Sequence, residues 1–540
     1  MASLESLSNA KAILLTTRLC ARGDVASLPQ LHNLFPKSLP LERLLRIILT
    51  FLPESTEPQS YIHVLKKIVG DESVEGFDNA NDNNVMTFVE NVSEAEARRQ
   101  VRRIRLLPLK WPYDEENDDD GEPLTQFLIH RAHLIDSETS LQPLILDLLL
   151  PFYENRPTIR TWLISSLLPL LRLDYEYYPH SGETFSVEAL ESMDDSTAVN
   201  VLLSMTGDHR DRDADAVDLT KNLRGLIGPW LYGSDLTKRK RLNETSLRNS
   251  IVLPQGEAVS EVTGQISGWQ TVNEWLLSRY LIDRESVTSA FTTWNGPEDV
   301  DLGGYEDAGQ QTKQQPETTL EFLRTRYSQT GLAVIYATSD SSKAALDDSI
   351  KILGRAANLV GLEDSSIFSS TDWSPSFDAD FIESCSGVLL LQNVLLLPSN
   401  SLTQPSTSSI SFLSALLASM QILNEHGHSI PCRTAASIYL YDREDRQRLE
   451  LQSILTSITK YAKPGPDWRK IRERFLWLRD WKAGHHLGGV ESSGPGCYGL
   501  FWRVSKEVVE AEILKAMLAA RGKSRKKRKL GIGTLMLMSL

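Results

Sequence analysis

His130 and His133, in the stretch FLIHRAHLID, are three residues apart. On a helix that spacing sets two imidazoles one above the other, as two metal ligands would be. Zinc sites are built from three or four ligands, however, and no carboxylate or third ligand stands at a characteristic spacing, so both histidines are read as packing or surface residues. Asp211, Asp213 and Asp215 alternate like the first ligands of a calcium loop. The sixth position of that loop is Ala216 where a glycine turn is needed, and the twelfth is Asn222 instead of Glu, so calcium is not expected. Gly522, Lys523 and Ser524 match the end of a phosphate loop, but Met517 stands where its first glycine belongs and the preceding stretch reads as helix. His485 and His486, beside Gly484, fall in a region rich in tryptophan, Trp468, Trp477, Trp481 and Trp502, whose simplest use is packing between helices. Nucleophile-elbow, metalloprotease and kinase patterns are missing. The expectation is therefore a non-enzyme: no catalytic residue, no cofactor-binding residue and no metal.

Composition narrows the partner class. The 540 residues carry 57 Lys and Arg against 71 Asp and Glu, a net charge of -14, which disfavours a nucleic-acid partner held by phosphate neutralisation. One local exception is the run KSRKKRK, Lys523 to Lys529, which has the composition of a nuclear-localisation or anionic-membrane patch and is read instead as a solvated tail. Cys20, Cys385, Cys432 and Cys497 lie far apart, with no pairing that suggests a disulfide framework, and a reduced, cytoplasmic setting fits them. The N-terminus lacks a continuous apolar run and reads as a first helix, not a secretory signal. The longest apolar stretches, Leu144 to Phe152 and Val388 to Leu397, contain Asp147 or Gln392 and Asn393 and stop at prolines, too short to span a bilayer. The final LGIGTLMLMSL is too short as well, so membrane contact is expected to run through partners.

The elements that must carry these residues are helices. Leu41, Leu44, Leu45, Ile48, Leu49 and Leu52 form an apolar stripe of helical period ended by Pro53; Leu141, Leu144, Ile145, Leu148, Leu149 and Phe152 repeat the same offsets, with Pro143 near the start. Tyr61, Val64, Leu65 and Ile68 mark another helix, and Ser93 with Glu96 spells a capping box ahead of Ala97, Val101 and Ile104. Leu124, Phe127, Leu128 and Ile135 continue the series, then Ile159, Trp162, Leu163, Leu170 and Leu171 around a kink at Pro169. Strand alternation is nearly absent. A lone short helix is marginal in water, so each stripe must find a neighbour, and the expected fold is all-α: an irregular α-solenoid of stacked antiparallel helix pairs. The polar stretches Asp114 to Glu122, Asp208 to Asp218, Gly296 to Glu317 and Ser399 to Ser409 read as surface loops. The third divides an N-terminal half, 1–295, from a C-terminal half, 321–522, through a linker at 296–320, with a basic then apolar tail at 523–540.

The stretches LPLERLLRIILTFLPESTEPQSYIHVL, PLTQFLIHRAHLIDSETSLQPLILDLLLPFY, IRTWLISSLLPLLRLDYEYYP and LRGLIGPWLYG together resemble the fungal Sec-thirty-nine domain family, whose animal relative is the neuroblastoma-amplified sequence protein. The resemblance is clear from about Ala10 to Gly233, thinner through the middle, and returns in YGLFWRVSKEVVEAEILKAMLAARG from Tyr498 to Gly522. Family members continue beyond that last helix, whereas this chain turns into KSRKKRK and an unrelated apolar end, as a truncated gene product would. The resemblance implies a cytoplasmic α-solenoid, peripherally associated with the endoplasmic reticulum membrane. It further implies a subunit of the Dsl tethering complex that binds sister subunits and SNARE proteins, in Golgi-to-endoplasmic-reticulum retrograde transport. Helical stripes alone would serve equally a helical-repeat adaptor in another pathway, such as nuclear transport.

Overall fold

The computed structural model describes residues 4–70, 87, 89–111, 121–180, 184–205, 218–232, 260–306, 317–362, 379–385, 390–461, 467–481 and 499–520. Every regular element among the described residues is helical. The fold is all-α.

Contacts divide the chain into two compact units. The first comprises Met1–Met205, Asn222–Gln265 and Val300–Lys313. It opens with α1 (Asn9–Ala21), α2 (Leu28–Leu34), α3 (Leu41–Phe51) and α4 (Ile62–Val69). Next come α5 (Glu94–Arg103), α6 (Pro123–Thr139) and α7 (Gln142–Leu149). The α3 stripe is buried through Leu44, Leu45, Ile48 and Leu49, covered by α1 and α6. Burial of one such side chain contributes roughly 1.5–3 kcal/mol. Arg131, fully buried on α6, donates to the Leu52 carbonyl at 2.8 Å and so satisfies one of the orphan acceptors beyond α3. Ser93 caps α5 by accepting from the Glu96 amide at 3.2 Å, but the Glu96 carboxylate accepts from Gln100 and only half of the expected box forms.

The second half of this unit is built on helices that widen. Helix α8 covers 157–177: Pro157–Trp162, a π segment at Leu163–Leu167, an α turn at Leu168–Leu171, and a second π segment at Arg172–Tyr177. After α9 (Val187–Ser192) and α10 (Asp195–Ser204), helix α11 covers 218–231, with a π segment at Leu223–Ile227 before Gly228–Leu231. For two of these three segments the cause is proline. A proline inside a helix has no N–H to give and its ring collides with the carbonyl four residues back, so the turn before it opens. Pro169 follows the first π segment and Pro229 the third; the sequence-read kink at Pro169 is thus absorbed as a π turn.

The second unit comprises Thr206–Lys221, Ile266–Asp299 and Gln314–Leu540. Helix α12 (Ser260–Tyr280), which belongs to this unit from Ile266 on, and α13 (Arg284–Thr293) precede α14 (Glu317–Ala337) and α15 (Lys343–Leu359). The short α16 (Ala379–Cys385) and α17 (Gln392–Leu395) lead to α18 (Thr407–Glu425), α19 (Cys432–Leu440), α20 (Glu444–Tyr461), α21 (Trp468–Asp480) and α22, residues 506–520. Helix α14 packs on α15 and α19, and α15 also on α13 and α18. The Ser399 to Ser409 stretch is less of a surface loop than its composition suggests. Asn400, Leu402 and Thr403 are buried, because the Thr403 hydroxyl donates to the Leu395 carbonyl at 2.6 Å and Ser406 and Ser409 form a complete capping box at the start of α18.

Candidate functional site

His130 and His133 lie on α6, both buried, at 0 % and 3 % exposure. The Trp111 ring meets both, 5.0 Å from the His130 ring and 4.9 Å from that of His133. His130 Nδ1 faces the Leu109 carbonyl at 3.2 Å, and burial holds its imidazole below the ordinary pKa against the pull of that carbonyl. His133 Nε2 faces Glu191 Oε2 of α9 at 3.4 Å, while Trp162 Nε1 donates to Glu191 Oε1 at 2.8 Å. The carboxylate that sequence spacing did not supply therefore arrives from 58 positions away. The two imidazoles are nonetheless turned to different partners. No group of three or more His, Cys, Asp or Glu placed to hold a metal ion occurs among the described residues.

The tryptophan region is a packing core. Trp481, fully buried, stacks on Tyr439 with ring centroids 5.5 Å apart and planes 4° from parallel, and its Nε1 donates to Ser419 Oγ at 2.9 Å. Trp502 Nε1 donates to the Tyr439 carbonyl at 3.1 Å, and Phe412 meets the Tyr439 ring edge-on at 4.8 Å. Trp468 and Trp477 are half-buried on α21. Asn222, the last position of the imitated calcium loop, is buried; its Nδ2 donates to the Met205 carbonyl and its Oδ1 accepts from Tyr178. Met517 lies on α22. Asp211, Asp213, Asp215, Ala216, Gly484, His485, His486, Gly522, Lys523, Ser524 and the whole KSRKKRK run lie outside the described residues.

One multiply bonded polar group in the first unit was not singled out by sequence. Pro229 cannot donate to the Gly225 carbonyl four residues back, and Arg172 Nη1 donates to it instead, at 2.8 Å. The same guanidinium donates to the Asp301 carbonyl at 2.6 Å and pairs with Asp301 Oδ1 at 2.9 Å; the Asp301 amide donates to the Arg224 carbonyl at 3.0 Å. A planar fork serving two carbonyls and a carboxylate is a task for arginine. Asp301 is held below its usual pKa, burial being outweighed by the Gly303 amide and by Arg172. Sequence held half of the signal: Gly-Pro inside a helical pattern marks the carbonyl that loses its donor, but nothing local marks Arg172 as the group that serves it.

Near it, Asp136 of α6 accepts from the Val187 amide at 2.6 Å, and Asp174 Oδ2 accepts from Gln142 Nε2 at 3.1 Å. Burial raises both carboxyls, Asp174 to about 6. The large apolar side chains left exposed are scattered over both units: Leu34, Leu141 and Tyr175 in the first, and Leu281, Ile282, Phe322, Leu391, Leu397, Leu449, Leu514 and Leu518 in the second. These arrangements hold helices together and present apolar contact points; they align no nucleophile with a base.

Against known protein families, the family described as secretory pathway protein Sec39 matches over residues 13–523 of the 540. No curated protein matches the chain.

Proposed function

The chain belongs to the Sec39 family of secretory pathway proteins, and on that premise we propose that it is a non-enzymatic scaffold subunit of a vesicle-tethering complex at the endoplasmic reticulum. It acts in Golgi-to-endoplasmic-reticulum retrograde transport by binding the other tether subunits and SNARE proteins of that membrane. In this reading its helices stack as antiparallel pairs into an irregular solenoid. The protein is cytoplasmic and reaches the membrane through its partners.

One observation carries this reading: the family match runs almost from end to end of a chain whose described elements are all helices. A helical array with no strand-borne cleft offers long lateral surfaces, the geometry suited to holding several partners at once. The groups with the types to do chemistry are committed to packing: His130 and His133 to Trp111, and Trp481 to Tyr439 and Ser419. Exposed leucines on α20 and α22, Leu449, Leu514 and Leu518, supply apolar anchors of the kind protein interfaces use.

Affinity purification of the full-length protein at native expression, followed by mass spectrometry, tests the proposal. Endoplasmic-reticulum SNAREs and tether subunits should co-purify. Their absence from a well-recovered bait, with nuclear pore or proteasome components in their place, would reassign the protein to another pathway.

A further inference from the structure

Two buried acceptors on one hydrogen-bonded pair of side chains have no well-formed donor. Gln142, at the first position of α7, uses its Nε2 twice, donating to Asp174 Oδ2 at 3.1 Å and to the Phe185 carbonyl at 3.1 Å. Its Oε1 is buried and accepts nothing; Asp174 Oδ1 is buried and makes no well-formed hydrogen bond, although the Phe185 amide approaches the carboxylate. Buried acceptors left without donors are costly, and a native core seldom keeps two within one pair of side chains. A single hydrogen resolves both. A carboxylic acid and a primary amide pair through two parallel hydrogen bonds, amide N–H to acid C=O and acid O–H to amide C=O. The first of these is already in place.

We propose that Asp174 takes up a proton in the folded chain at mildly acidic pH and that the Asp174–Gln142 pair is then a proton-dependent latch between the second π segment of α8 and the start of α7. Protonated, Asp174 donates from Oδ1 to Gln142 Oε1 and closes the ring. Ionised, it leaves that amide oxygen without a partner and sets a charge near Asp136.

The surroundings favour the neutral acid. From α6 the facing titratable group is Asp136, whose carboxylate takes the Val187 amide and adds a like charge. From α7 comes only the uncharged Gln142, and from the segment before α9 the Phe185 backbone, whose amide acts in the opposite direction. On the same π segment Tyr175 turns outward to the Ser140 carbonyl, and Arg172 is committed to Gly225 and Asp301. Among the described residues no cation is paired with Asp174. Burial is the largest influence, and it places the carboxyl at about 6.

For a carboxyl raised in the folded state, folding takes up a proton between the unfolded and folded values. The latch is therefore closed at low pH and is lost as pH rises through about 6. Asp174→Asn is the built-in control, since an asparagine amide donates to Gln142 Oε1 at every pH. Hydrogen–deuterium exchange of the full-length protein, followed in peptides covering 142–149 and 172–187 from pH 5 to pH 8, reads the difference; comparing the two proteins at each pH cancels the intrinsic exchange chemistry. Protection in wild type relative to Asp174→Asn should fall about tenfold between pH 5 and pH 8. A ratio constant with pH, or a variant less protected than wild type at pH 8, would overturn the proposal. Should the variant fail to fold, carbon-13 titration of aspartate-labelled Asp136→Asn protein, which removes the other raised carboxyl of the pair, decides: an aspartate with a midpoint near 6 supports the latch, and none titrating above about 5 rejects it.

Discussion

Arg172 shows how a single side chain can stand in for a missing backbone donor. Its fork serves Gly225 and Asp301 together, so a lysine, one point charge on a flexible stem, cannot replace it. Arg172→Lys should lower stability by about 1–3 kcal/mol, read as a fall in urea midpoint of the full chain; an unchanged midpoint would show that the junction is held by apolar contacts alone. The cysteines make a second test. Cys20, Cys385 and Cys432 are buried and free, and burial pushes the first two thiols up to about 12 and the third higher still. At pH 8 these three should resist iodoacetamide in the native protein and react once it is unfolded; native labelling at any of them would mean that their helices open readily. Residue types alone directed attention to His130 and His133 and gave the packing reading that Trp111 supports. Arg172 was invisible because its importance comes from a carbonyl 53 positions away, a pairing that no local spacing encodes.

At the scale of elements, apolar period was the legible signal, and it failed where a residue sits just outside its helix. Leu41 to Leu52 follow the stripe, but Leu141 is 49 % exposed, because it caps α7 in a non-helical conformation and the angular projection of a helix does not reach it. Gln142 occupies the buried place instead. Turns were harder: Ser399 to Ser409 reads as surface from composition, yet its serines and threonines bond backward into the chain. The proline account of the π segments is open to a double-mutant cycle. Pro229→Ala restores an N–H that can reach the Gly225 carbonyl, so Arg172→Ala should cost about 1 kcal/mol less in that background than alone; additive effects would detach the proline from the arginine. Gly499 tests the docking of 499–504 on the end of α21. A Cβ there falls against the Leu478 carbonyl and lies 2.5 Å from the backbone carbon of Arg479, atoms that cannot step aside, and the Gly499 amide donates to the Arg479 carbonyl at 2.8 Å. Gly499→Ala should destabilise by about 2 kcal/mol or more, seen as a lower melting temperature, whereas a neutral effect would mean that α21 and 499–504 separate easily.

For the whole molecule, helical stripes state that every apolar face is covered without stating which helix covers it. That is why the fold class could be read from the sequence and the pairing of one helix with another could not. The same reasoning governs how the protein meets membranes. No helix among the described residues is long and apolar enough to cross a bilayer, and a net charge of -14 opposes direct adsorption to an anionic leaflet. If attachment to the endoplasmic reticulum runs through protein partners, the full-length protein should sediment with that membrane and leave it on alkaline carbonate extraction without detergent. Depleting the SNAREs that co-purify with it should shift it to the soluble fraction. Retention through carbonate would require an anchor of its own, and membrane binding unaffected by SNARE loss would move the attachment to the other tether subunits.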